Sequence, residues 1–233
     1  MTVTEGEEPS FPPELFAFLR ELAANNTREW FTANKGRYVA DVQEPALAFV
    51  EDVGLRLHEI SGHFVADPRT VGGSLFRIYR DTRFSKDKTP YKTQVGIQFR
   101  HEQSRDVHAP GFYLHLEPGS VFMACGTWHP DGDTLRAIRG AIASRPGRWE
   151  AAVGDPAFAA RFRLGGDALK RPPAGFDRDH PLIEDIKRKD FIAVTDLTQT
   201  DAVSAGFLTR FLGLCAESAP FMRLLCDAAR VPF

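Results

Sequence analysis

Between Arg77 and Lys92 the chain reads Arg-Ile-Tyr-Arg-Asp-Thr-Arg-Phe-Ser-Lys-Asp-Lys-Thr-Pro-Tyr-Lys. Six cations, Arg77, Arg80, Arg83, Lys86, Lys88 and Lys92, stand against two carboxylates, Asp81 and Asp87, in a chain whose formal total is −2. A guanidinium offers a planar fork to phosphate or carboxylate and an ammonium acts as a mobile point charge, so the mixture suits an oxyanion. Tyr79, Phe84 and Tyr91 interleave the charges and offer rings for stacking. The competing reading is a solvated hairpin whose cations pair with Asp81 and Asp87.

Acid–base chemistry has fewer candidates. His115 falls on the polar side of an alternating segment and is a candidate proton carrier, with Asp81 and Asp87 the acids nearest the basic run. A plain hydrogen-bonded histidine is the alternative. The seven histidines, His58, His63, His101, His108, His115, His129 and His180, never fall in HxH, HExxH or HxxxH, so no metal site is expected. Serine-hydrolase, P-loop and dinucleotide signatures are missing too, and no cofactor is expected. Cys125, Cys215 and Cys226 sit in apolar runs without metal or disulfide spacing, as buried thiols do. Lys170-Arg171 and Lys187-Arg188-Lys189 are further basic spots. Whether their loops fold back onto the same site is not legible in the sequence.

The elements that must position these groups follow from hydrophobic period. Leu15, Phe18, Leu19 and Leu22 recur at helical spacing after Pro12-Pro13, and Asn25-Asn26 closes that helix. Thr27 is the expected cap of the next, and Pro45 interrupts before Leu47, Val50, Val53 and Leu57 resume the period. After a loop over residues 61–73 the period changes from helical to alternating. Phe76 and Ile78, then Val95, Ile97 and Phe99, then Phe112, Leu114 and Leu116 mark three strands with their apolar faces toward helices. Alternation sends Arg77 to the polar face and Arg80 toward the apolar edge, where each needs burial or a partner. A fourth strand over Ser120 to Trp128 follows Pro118-Gly119, a turn that permits only antiparallel pairing. Helices are expected over Thr134 to Ala143 and Trp149 to Phe162, the latter broken at Asp155-Pro156. An extended segment covers Phe191 to Leu197, and helices fill Asp201 to Glu217 and Pro220 to Ala229. Helices, then strands, then helices argue for an α+β fold, an antiparallel sheet of about four or more strands packed on one face by the N- and C-terminal helices.

The run from Phe76 to Thr93 resembles the signature of the DUF2461 family of conserved hypothetical proteins. The resemblance continues in Pro110-Gly111-Phe112-Tyr113-Leu114-His115, in Gly126-Thr127-Trp128, and in Leu169-Lys170-Arg171-Pro172-Pro173-Ala174-Gly175-Phe176 with His180-Pro181. It extends over nearly the whole chain and implies membership, not an activity. Met123-Ala124-Cys125-Gly126 departs from it, standing where a more glycine-rich run is expected.

Composition sets the outer bounds. The chain has 233 residues, 43% of them hydrophobic and 26% charged, within the range of one globular domain. Residues 1–10 are expected to form a short flexible acidic tail and residues 11–233 a single domain. Neither an export signal nor a membrane-length apolar run is present, so a cytoplasmic location is expected. The leading expectation is a protein that binds a phosphate-bearing or other anionic small molecule through Arg77, Arg80, Arg83, Lys86, Lys88, Tyr91 and Lys92. A nucleic-acid-binding module and a protein-interaction domain without a small ligand are the alternatives. The near-neutral total charge weighs against the first of these.

Overall fold

The computed structural model describes residues 8–103 and 109–233. The expected acidic tail falls mostly outside the described residues, as does His108. Helix α1 (Pro13–Ala24) starts with proline in its first turn and buries Leu15, Phe18, Leu19 and Leu22, the stripe expected from their spacing. The Thr27 side chain accepts from the Trp30 amide and caps α2 (Arg28–Ala33). Helix α3 (Lys35–Arg37) continues through a π-helical stretch, Tyr38–Gln43, into α4 (Glu44–Leu57). Pro45 lies in the first turn of α4, directly after the π-helical stretch, so it marks a change of helix type and not an interruption.

Strands β1 (Phe64–Val65), β2 (Val95–His101), β3 (Gly111–Glu117), β4 (Ser120–Thr127), β5 (Arg163–Gly165) and β6 (Phe191–Leu197) form one sheet in the order β1-β2-β3-β4-β6-β5. Every neighbouring pair is antiparallel. Between and after these strands come α5 (Gly132–Ser144), α6 (Pro146–Val153), α7 (Pro156–Arg161), α8 (Ile183–Ile186), α9 (Gln199–Ala202), α10 (Phe207–Glu217) and α11 (Ala219–Ala229). Asp155 caps α7, so the break expected at Asp155-Pro156 is a boundary between two helices.

The α+β architecture expected from the sequence is the one observed. Helix α1 packs on β3, α4 on β2, and α9, α10 and α11 on β4. Ile97, Phe99, Phe112, Leu114, Leu116 and Met123 are each 0% exposed beneath them. Fully burying side chains of this size is worth about 1.5–3 kcal/mol each, which makes this face the energetic centre of the fold.

One strand differs from expectation. Residues 74–80 do not form a continuous strand. The Phe76 amide donates to the Gly96 carbonyl and the Gln98 amide to Ser74, so the start of the segment pairs with β2. The Arg80 amide then donates to Pro90 and the Lys92 amide to Ile78, so its end pairs with the return of its own loop. Changing partner partway breaks strict alternation. Leu75 and Ile78 are buried, while Phe76, expected under the helices, packs against Tyr113 on the opposite face at 5.9 Å between centroids.

Gly126 shows how closely β4 and β6 approach. Its φ is 121°, and a Cβ there would lie 2.1 Å from the Phe191 carbonyl oxygen. Backbone cannot retreat as a flexible side chain can. Gly126→Ala is therefore expected to destabilise the protein by about 3 kcal/mol or more in urea unfolding, and a change within about 0.5 kcal/mol would refute this account of the strand junction.

Candidate functional site

The six cations of the basic run separate into distinct environments. Arg80 donates to the Asp87 carboxylate and to the Thr89 hydroxyl. Arg83 forks onto Asp81 at 2.6 Å, and Lys88 Nζ donates to the Thr82 carbonyl at 2.8 Å. Three of the six thus have acceptors inside their own loop. Lys86 is exposed and has no acceptor among the described residues. Tyr91 is only 5% exposed, because its ring stacks on Phe31 at 4.1 Å and Asn26 holds its backbone through both N–H and C=O.

Arg77 and Lys92 are placed differently. Against the expectation of burial or a partner, Arg77 is exposed with no hydrogen bond or ion pair among the described residues, because its segment is not a regular strand and leaves the guanidinium in water. Lys92 lies over the Phe76 ring at 5.4 Å. Burial, and then the Arg77 charge, hold the Lys92 ammonium below the usual lysine range. The two cations therefore repel each other, and neither has a hydrogen-bonded carboxylate among the described residues.

Arg77 lines a cavity of about 570 Å³ between the α2–α3 region and residues 70–79. Lys35 from α3 and Arg100 from β2 line it too, and no aspartate or glutamate does. Phe31, Tyr38 and Tyr79 supply aromatic walls. Arg100 reaches the Gly72 carbonyl at 3.2 Å. Neither Lys35 nor Arg100 stood among the binding residues expected from the sequence, since neither belongs to a basic run; the pairing of residues 74–76 with β2 brings Arg100 near Arg77, and α3 supplies Lys35. Lys170-Arg171 and Lys187-Arg188-Lys189 do not line this cavity. Lys187 instead pairs with Glu184, and Arg188 with Asp185.

A second cavity, of about 580 Å³, lies on the open face of the sheet, and Phe76 walls both. Tyr113 lines it, and strand alternation carries His115 and Glu117 along the same face. The Tyr113 hydroxyl lies 3.0 Å from His115 Nδ1, and His115 Nε2 lies 3.2 Å from Glu117 Oε2. His115 is 7% exposed and stacks on Phe122 at 4.5 Å. Asp81 and Asp87, the other acid–base candidates, remain in the basic loop and approach neither His115 nor Tyr113 through a hydrogen bond. Among the described residues no group of three or more histidine, cysteine or acidic side chains could hold a metal.

The loop ion pairs carry a definite pH signature. Hydrogen bonding from Arg83 holds Asp81 at about 2, and hydrogen bonding from Arg80 does the same for Asp87, against an ordinary 3.8. A depressed folded value means that any stability the pairs add is complete above about pH 4 and lost as pH falls toward 2. Both carboxylates are exposed to solvent, so screening keeps that contribution small. Carboxyl ¹³C titration is expected to place the Asp81 midpoint near 2 and to return it toward 3.8 in Arg83→Ala. An unmoved midpoint would contradict the pairing.

Among the described residues no helix is long and apolar enough to cross a membrane. No curated protein and no solved structure matches the chain. A family model matches residues 14–224, nearly the full length, and on that match the chain belongs to the family described as conserved hypothetical protein (DUF2461).

Proposed function

We propose that this protein binds a small phosphate-bearing or otherwise anionic ligand, and that the ligand sits in the cavity lined by Lys35, Arg77 and Arg100. The observation that carries the reading is the charge composition of that cavity, three cations and no carboxylate around aromatic walls. In the exposed loop, by contrast, arginines meet aspartates one for one, which favours salt-screened surface pairs over a ligand site. An anion beside Arg77 would also relieve its repulsion with Lys92. Tyr79, half exposed, and Tyr38 could stack a ring attached to the anion, so a nucleoside phosphate suits the site better than a bare inorganic ion.

Inorganic pyrophosphate and adenosine monophosphate in low salt test this reading by thermal shift, since a ligand that binds the native state alone raises its apparent stability. A charge-assisted contact is worth about 1.5–3 kcal/mol, so Lys35→Ala and Arg77→Ala should each weaken binding by about tenfold or more. Arg83→Ala, whose partner is Asp81, should change it by less than about threefold, as expected of an exposed pair. Rising salt should weaken binding throughout. If both anions leave the melting temperature unmoved, the anion reading fails.

A further inference from the structure

The hydrogen-bonded chain along β3 has a direction. An ionised Glu117 carboxylate can only accept, so the proton it shares with His115 belongs to Nε2. A neutral His115 then has a bare Nδ1, which accepts the Tyr113 O–H. The Thr93 hydroxyl also donates to Glu117, at 3.1 Å, fixing the carboxylate from the other side. This is the arrangement by which a carboxylate orients an imidazole and the imidazole draws on a hydroxyl.

The surroundings hold the chain in place. Gly96 is the cross-strand partner of His115, and a Cβ at Gly96 would lie 2.8 Å from the Tyr113 hydroxyl oxygen. Phe122 covers the imidazole from β4. Tyr113 lines the open-face cavity, whereas His115 and Glu117 do not. Glu117, at 34% side-chain exposure, meets water. The chain therefore runs from a cavity to solvent.

We propose that Tyr113, His115 and Glu117 form a proton relay serving the open-face cavity, where Tyr113 exchanges a proton with an uncharged, ring-bearing alcohol or phenol. At about 580 Å³ the cavity falls within the roughly 300–1,000 Å³ of small-molecule sites. Phe76, Phe122 and Trp128 offer rings, and Ala124 and Gly126 leave a low floor between them. Its two charged lining residues, Arg163 and Asp196, pair with each other at 2.7 Å, which leaves no net charge to call for an ion. This separates the site from the cationic cavity beyond Phe76.

The proton count closes. The ligand O–H proton passes to the Tyr113 oxygen as the phenol proton passes to His115 Nδ1. The ligand becomes an oxyanion, the histidine an imidazolium, and Tyr113 is again neutral. Glu117 stabilises the imidazolium by accepting from Nε2–H, and the same two transfers run backward return the proton to the ligand and restore the Nε2–H tautomer. Burial, with the Glu117 charge adding, pushes the Tyr113 phenol up to about 12, so it stands protonated at neutral pH and waits on the ligand.

The test uses the full chain labelled with ¹⁵N at histidine and tryptophan, with 2-naphthol as probe and 2-methoxynaphthalene as the matched compound without a hydroxyl. Trp128→Phe and His115→Gln identify the two resonances. In the free protein His115 should be the Nε2–H tautomer, and Glu117→Ala should mix its tautomers. 2-Naphthol should shift the Trp128 indole and the His115 ring nitrogens together, in a saturable way. 2-Methoxynaphthalene should bind about fivefold more weakly, the value of one neutral hydrogen bond, and leave His115 unmoved. Tyr113→Phe should erase the difference between the compounds. An Nδ1–H tautomer in the free protein, a Trp128 shift without a His115 shift, or no shift of either with 2-naphthol would each overturn the proposal. If Tyr113→Phe fails to fold, the tautomer and the two-compound comparison decide it on the unmodified protein.

Discussion

Burial of one face of the sheet under α1, α4, α10 and α11 is the constraint on which the remaining features depend. Because strand side chains alternate, fixing Phe112, Leu114 and Leu116 in the core also fixes Tyr113, His115 and Glu117 on the opposite face. A slip of one residue would exchange the two sets and bury a carboxylate under the helices. The apolar core thus sets the register of the polar groups. The open-face cavity is floored where Gly111, Ala124 and Gly126 lie, and rings from Phe76, Tyr113 and Phe122 line it.

Charge follows a different logic. Six cations close together in sequence suggest one binding surface, yet geometry divides them. A loop that supplies its own aspartates two residues before Arg83 and seven after Arg80 satisfies those guanidinium groups locally. Arg77 lies ahead of the loop, where the segment still pairs with β2, and its neighbours come from α3 and β2. A cation without a local acceptor is the more informative feature, because its charge remains available to a ligand.

What was legible in the sequence divides along the same line. The period-two run from Phe112 to Glu117 specified β3, its helix-covered face and the placement of Tyr113, His115 and Glu117 on the opposite face, because a full strand with a partner on each side obeys strict alternation. The hairpin at Pro118-Gly119 was equally legible, since two residues allow one geometry. Residues 74–80 were not, because the segment exchanges one pairing partner for another and the phase of its side chains shifts with it. Phe76 consequently faces Tyr113 in place of the helices. The contributions of Lys35 and Arg100 to one cavity depend on contacts between residues far apart in the chain, for which local patterning carries no signal. His115 stood out by alternation alone. Its partners at positions 113 and 117 lay on the same face of the same strand, and that spacing was the available clue.

In the proposed site an anion is held by cations from three separate segments and not by the basic loop. Backbone ¹H–¹⁵N shift mapping of the full chain with inorganic pyrophosphate in low salt tests it most directly. Binding in that cavity would put the largest shifts at Lys35, Gly72, Gly73, Arg77 and Arg100, which line it, with small changes over residues 82–88. Shifts concentrated at residues 82–88 with the cavity unmoved would contradict it.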